Sequence, residues 1–321
     1  MWISIALGVL GLALLVWGAD RFVEGAAATA RNLNVSPLLI GMTIVSLGTS
    51  APEALVAAQA AMQGNTALAV GNALGSNITN IALVLGISAL AAPIVVRSKI
   101  FRTEMPMLVG VCLFAAYLLY DQVLERSDGI LLLIGQVVIM CVMFWLSRRG
   151  TDDSAAAEFD EEIPSDWSTK KALVWLMIGL ACLLTGARLL VDGAITIAEG
   201  FGISEVVIGL SIVAIGTSLP ELGASLGSAL KGEHDIAIGN IIGSNMFNLL
   251  LVLGTAGVLG PAAVPEEVIT RDVPVMLGLT AAMVIMAFGF KGAGRINRVE
   301  AGLLVVCFIS YQCWLFLPQA A

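Results

Sequence analysis

Residues 41–86 read GMTIVSLGTSAPEALVAAQAAMQGNTALAVGNALGSNITNIALVLG, and residues 209–254 read GLSIVAIGTSLPELGASLGSALKGEHDIAIGNIIGSNMFNLLLVLG. Laid over each other without a gap, at an offset of 168, the two stretches agree at 21 of 46 positions. The register continues on both sides. Gly18, Ala19, Val23, Gly25, Ala26 and Ala30 fall on Gly186, Ala187, Val191, Gly193, Ala194 and Ala198, and Glu104 and Pro106 fall on Asp272 and Pro274. Self-similarity at one fixed offset over this length means a duplicated unit. It divides the chain into an N-terminal repeat, 1–147, an acidic linker, 148–170, and a C-terminal repeat, 171–321.

The surroundings of these stretches are apolar. Of 321 residues 58% are hydrophobic and 12% charged, against about 25% charged in a soluble domain, and the mean hydropathy is +0.95. That excludes an ordinary cytosolic enzyme and a disordered chain. The net charge of −8 offers no basic surface for nucleic acid. The medium is a lipid bilayer. The apolar runs are continuous rather than alternating, so helices and not barrel strands cross it. At ~20 residues per crossing, ten crossings use roughly 200 residues. The expected fold is an all-α polytopic membrane protein with five helices per repeat, centred near residues 10, 50, 78, 112 and 138 and near 182, 217, 246, 281 and 308. An odd number of crossings turns the second repeat over, giving two inverted repeats with a site between them at the midplane.

Orientation follows from basic residues. Met1–Ala19 has no Lys or Arg, which reads as a first membrane helix and not a cleaved signal. With the N-terminus outside, 13 of the 16 basic residues fall in cytoplasmic loops and only Arg126, Arg188 and Arg271 face outward. The expectation is a multi-pass protein of the plasma (inner) membrane with both termini outside.

Two segments put polar atoms at membrane depth, Gly48-Thr49-Ser50-Ala51-Pro52-Glu53 and Gly216-Thr217-Ser218-Leu219-Pro220-Glu221. A carboxylate there costs a few kcal/mol (~2.5–3.5 for Asp on insertion scales) and marks function by default. Ser46, Thr49, Ser50 and Glu53 stand at i, i+3, i+4 and i+7, as do Ala214, Thr217, Ser218 and Glu221. Each set shares one helix face. Pro52 and Pro220 cannot donate to the carbonyl four residues back, so helices 2 and 7 should break and free backbone oxygens. Hydroxyls, carbonyls and carboxylates are the oxygen donors hard cations prefer. Lone Ser and Thr hydroxyls in a membrane helix commonly bond back to the i−4 carbonyl, but grouping beside Glu and Pro, in duplicate, favours a site. On the following helices Ser76 and Asn80, and Ser244 and Asn248, are four apart and able to complete an oxygen cage. The spacings Gly71/Gly75 and Gly239/Gly243 allow close helix approach. Asn77 and Asn245 are assigned to interhelical hydrogen bonds.

Other features are less informative. The five cysteines lie in apolar runs and read as small buried hydrophobes. The acidic linker lacks the ligand spacing of a calcium loop, and His234, between Glu233 and Asp235, falls in an expected solvated cytoplasmic turn.

GTSAPE…GNALGSNITN and GTSLPE…GNIIGSNMFN closely resemble the paired α-repeats of the cation/calcium antiporter superfamily, the Na⁺/Ca²⁺ exchangers, over nearly the whole chain. The resemblance implies electrogenic exchange of about three Na⁺ for one Ca²⁺ by alternating access, with the first helix of each repeat sliding. It implies Na⁺ and Ca²⁺ as transported ions, no cofactor, the lipid bilayer as surroundings and no obligatory protein partner. By motif position the ion ligands would be Thr49, Ser50, Glu53, Ser76 and Asn80 with Thr217, Ser218, Glu221, Ser244 and Asn248, joined by main-chain oxygens of Ser46 and Ala214. Some members carry Asp where this chain has Asn80 or Asn248, which argues against K⁺ dependence here.

Three rival readings stand beside this one. A Ca²⁺/H⁺ antiporter would load protons on Glu53 and Glu221; an ion channel would pass Ca²⁺ without a coupling ion. An intramembrane enzyme would need paired aspartates, Ser with His, or HExxH, none of which occurs in the apolar segments.

Overall fold

The computed structural model describes residues 2–33, 35–149, 167–200, 214–288 and 294–316. Residues 150–166 of the acidic linker lie outside the described residues, as does the start of the helix expected near 217. Seven described helices are long and apolar enough to cross a membrane, and the bent pair Leu38–Thr49 and Ala51–Met62, at 45°, makes an eighth span. The segment expected near 112 is helical over Ser98–Leu118, but its apolar part, Thr103–Leu118, is shorter than a full span.

The breaks follow local chemistry. Ser50 leaves helical geometry at φ −83°, ψ 6°, and Pro52 sits in the first turn of Ala51–Met62, where the missing N–H is an orphan anyway. Ser218, at φ −89°, ψ 5°, and Pro220 repeat this before Leu219–Leu230. Each broken helix then turns on a glycine in the left-handed region, Gly64 at φ +77° and Gly232 at φ +76°, a conformation costly for any residue with a Cβ.

Beyond each turn lies a central helix. Thr66–Thr79 continues through a π-turn, Asn80–Leu85, into Gly86–Ala91. His234–Phe247 continues through Asn248–Val252 into Leu253–Leu259. These spans are the core, 78% and 94% buried, against 22% for Arg126–Trp145 and Arg298–Leu315. The outer helices present Leu131, Ile134, Val137, Leu303 and Val306, an apolar surface that only lipid would solvate. Trp2–Asn32 and Thr169–Gly200 pack on each other where glycines let the backbones meet, Gly18 against Leu183 and Gly186 against Leu15.

Two short ribbons tie the ends. Ile94–Val96 pairs antiparallel with Gly294–Ile296, and Val123–Leu124 with Ala262–Ala263.

Two expectations need correction. Cys112 is buried, but Cys141, Cys307 and Cys313 are exposed, because an apolar helix in lipid turns part of its apolar face outward. The turn at His234 is less solvated than expected: Asp235 is buried, His234 is half-buried, and Arg97 lies 3.5 Å from the Asp235 carboxylate.

Candidate ion-binding site

The breaks bring the two repeats together. Ser46, Thr49, Ser50, Glu53, Ser76, Asn80, Ser218, Glu221, Ser244 and Asn248 are all buried, none more than 3% exposed. Thr217 is half-buried, and Ala214 opens the described helix Ala214–Thr217.

Contacts cross between the halves. The Ser50 hydroxyl donates to Glu221 Oε1 at 2.9 Å, and Thr49 Oγ1 donates to Asn240 Oδ1 at 3.2 Å. In the other direction Thr217 lies beside the Glu53 carboxylate, which faces the like charge of Glu221. Ser244 lies beside Glu221. Asn77 Nδ2 donates to the Asn245 main-chain oxygen at 3.2 Å, the interhelical bond expected of Asn77; the Asn245 amide, expected to do the same, has no partner meeting hydrogen-bond geometry. The Ser46 main-chain oxygen accepts from the Ser50 amide at 2.9 Å and from Thr49 Oγ1 at 3.3 Å.

The donor chemistry is that of a hard-cation site. Seven buried oxygens here have no partner meeting hydrogen-bond geometry: both of Glu53, Glu221 Oε2, Asn80 Oδ1, Asn248 Oδ1, Ser218 Oγ and Ser244 Oγ. A buried polar atom left unpaired costs about 1–3 kcal/mol. Such atoms, two carboxylates among them and drawn from four helices that pack on one another, fit an oxygen-liganded ion, and Ca²⁺ takes 6–8 oxygens. Among the described residues no three His, Cys, Asp or Glu gather as a metal cluster, so hydroxyl and amide oxygens would supply most of the coordination.

Glycines seat the helices. A Cβ on Gly239 would meet the Leu38 main-chain oxygen at 2.8 Å, and one on Gly243 would meet Ser46 Oγ at 2.5 Å. The second GxxxG spacing therefore packs the central helix directly on the Ser46 segment. For Gly71 and Gly75, the partner segment given by the 168 register falls mostly within 201–213, outside the described residues.

Asn72 and Asn240 were missed as site residues. Asn72 Nδ2 donates to the Glu53 main-chain oxygen at 3.2 Å, and Asn240 Nδ2 to that of Glu221 at 3.3 Å. Their identity at equivalent positions of the repeat was the available signal. The π-turns that begin at Asn80 and Asn248 left no signal, because their residues also suit an α-helix.

If Asn80 and Asn248 ligate through Oδ1, Asn80→Asp and Asn248→Asp each add a third negative charge to the cage. The expected result is a shift in ion affinity of at least tenfold, or a new response to K⁺, measured by ⁴⁵Ca²⁺ uptake against ion concentration. No change in both variants would put these side chains outside the site.

Comparison with known proteins gives the family of the chain. The family model described as sodium/calcium exchanger protein matches residues 3–145 and again 171–317. The chain is 50% identical over 309 residues to the putative antiporter CaxA of Alkalimonas amylolytica, covering 96% of this chain and 97% of that one. It is 31% identical over 352 residues to the sodium/calcium exchanger MaX1 of Methanosarcina acetivorans, covering 96% and 97%. A solved structure of the sodium-calcium exchanger NCX_Mj, soaked with Na⁺ and no Ca²⁺, superposes with a TM-score of 0.83 at 33% identity, over 99% of this chain and 100% of that one. A twice-matched family model, full-length relatives and a shared fold lead to one conclusion: this chain belongs to the sodium/calcium exchanger family.

Proposed function

We propose that the protein is a secondary antiporter, not an enzyme, that exchanges Na⁺ for Ca²⁺ across the plasma (inner) membrane by alternating access, moving net charge. The observation that carries this is the set of buried oxygens without hydrogen-bond partners, those of Glu53 and Glu221 among them, contributed by both halves of the chain. Two carboxylates balance one Ca²⁺. Several Na⁺ on the same oxygens compete for the same two charges, and mutually exclusive occupancy of one site couples the two fluxes.

The architecture we assign is ten transmembrane helices in two inverted repeats, 1–147 and 171–321, with both termini outside and the acidic linker 148–170 in the cytoplasm. The strand ribbons support the inversion. Ser98–Leu118 runs from the ribbon at Ile94–Val96 to that at Val123–Leu124, whereas Val268–Ala287 runs from the second ribbon, at Ala262–Ala263, to the first, at Gly294–Ile296. The two helices are equivalent in the 168 register and point in opposite directions. The double match of one family model supports the same boundaries.

Na⁺ coupling is tested in proteoliposomes. With an outward Na⁺ gradient at uniform pH, ⁴⁵Ca²⁺ should accumulate, and a potential clamped with K⁺ and valinomycin should change the rate. A pH gradient alone should drive none. Uptake driven by the pH gradient and indifferent to Na⁺ would establish the Ca²⁺/H⁺ alternative instead.

A further inference from the structure

We propose that Asn240 is a positioning residue of the ion site: its carboxamide holds Thr49 of one repeat and the Glu221 backbone of the other in ligating geometry. The proposal rests on the Ca²⁺ site assigned above. Asn240 is fully buried, and both ends of its side chain are engaged. Oδ1 accepts from Thr49 Oγ1 at 3.2 Å. Nδ2 donates to the Glu221 main-chain oxygen at 3.3 Å and to Ser225 Oγ at 2.8 Å.

This wiring matters for a hydroxyl ligand. A Thr oxygen binds a cation through its lone pairs, so its proton must point away from the ion. With the ion on the Glu221 side, where the carboxylate also lies beside Thr49, Asn240 Oδ1 and the Ser46 main-chain oxygen, 3.3 Å from Thr49 Oγ1, are the acceptors that draw the proton off. On its other side, the bond to the Glu221 carbonyl fixes the first turn of Leu219–Leu230, the turn that aims the Glu221 carboxylate. One side chain thereby orients a hydroxyl from the first repeat and a carboxylate from the second.

The two repeats are not equal in this respect. Asn72, the equivalent of Asn240, donates to the Glu53 main-chain oxygen at 3.2 Å, but Ala57 stands where the second repeat has Ser225, and Asn72 is only half-buried. Without that hydroxyl the Asn72 amide is held less firmly. The Thr49–Glu221 side of the cage is therefore the preorganised one, and Asn240 contributes more to Ca²⁺ affinity than Asn72 does.

The test is equilibrium ⁴⁵Ca²⁺ binding to the purified full-length protein in Na⁺-free buffer, beside the melting temperature measured without Ca²⁺. Asn240→Ala should raise the Ca²⁺ Kd about tenfold, equivalent to ~1.4 kcal/mol and the size of one lost hydrogen bond. Ser225→Ala should raise it about threefold, and Asn72→Ala by less than Asn240→Ala. In transport, the Ca²⁺ concentration at half-maximal rate should rise with the Kd. A role confined to packing would lower the melting temperature of Asn240→Ala and leave Kd unchanged, which overturns the proposal. Should Asn240→Ala fail to fold, Ser225→Ala decides alone, and an unshifted Kd there overturns it too. Wild-type protein that binds no Ca²⁺ would overturn the Ca²⁺ site itself. Wild-type binding with unshifted variants overturns only the part assigned to Asn240.

Discussion

Glu53→Gln and Glu221→Gln should each reduce Na⁺-driven Ca²⁺ uptake to the level of protein-free liposomes. Gln keeps the length and an oxygen of Glu, so Ser50 can still donate at position 221 as it does to Glu221 Oε1 at 2.9 Å. What it removes is charge. Both carboxylates are buried, at 0% and 1% exposure, and a cation lying between them loses one of two compensating charges. At about 4 Å and an effective dielectric of about 20, that charge contributes roughly 4 kcal/mol for each unit of charge on the ion, a factor of at least about 10³ in affinity. The same substitution removes one of two carboxyl groups buried beside each other in the ion-free protein, so the melting temperature without Ca²⁺ should stay level or rise. Lost transport with retained stability separates a ligand from a packing residue. Robust exchange in either variant would remove that glutamate from the site.

The breaks at these glutamates were legible because their causes are local. Pro52 and Pro220 interrupt a helix whatever surrounds them. Duplication then made each reading twice as informative, since a polar residue seen at membrane depth in both halves is hard to attribute to chance. Ser76, Asn80, Ser244 and Asn248 were put forward as candidates by their spacing and by the family resemblance. Contacts across the halves were not legible. Nothing near Thr49 in the chain announces Asn240, 191 residues away, and nothing local distinguishes the firm amide of Asn240 from the looser one of Asn72. That difference depends on Ser225 and Ala57, which look like unremarked small residues of an apolar helix. The ribbons were invisible for a similar reason. Three residues such as Ile94–Val96 carry too little alternation to signal a strand, and they become one only because Gly294–Ile296 arrives beside them.

Gly243→Ala should lower the exchange rate about 10²-fold, more than any other glycine substitution in the central helix His234–Leu259. A Cβ at this position would lie 2.5 Å from Ser46 Oγ, 2.6 Å from the Met42 main-chain oxygen and 2.7 Å from Met42 Cα. The hydroxyl can rotate away, but the two backbone atoms cannot, so the segment Gly41–Thr49 must move bodily. Relieving contacts this short takes a shift approaching 1 Å, and a misplacement of that size can cost ~10²-fold in rate. The moved segment carries Ser46 and Thr49 on one side of the cage, while Ser244, next in sequence to Gly243, belongs to the other. The substitution therefore widens the cage from both sides at once. Overpacking should also cost about 1–3 kcal/mol of stability, visible as a lower melting temperature. Gly239→Ala meets the Leu38 main-chain oxygen at 2.8 Å, one turn farther from the ligands, and should lose stability comparably and transport less. Gly278→Ala has open space at the new Cβ and should transport as wild type. A Gly243→Ala protein that is destabilised yet exchanges at the wild-type rate would mean that the crossing at Gly243 holds the fold together without setting the positions of the ligands.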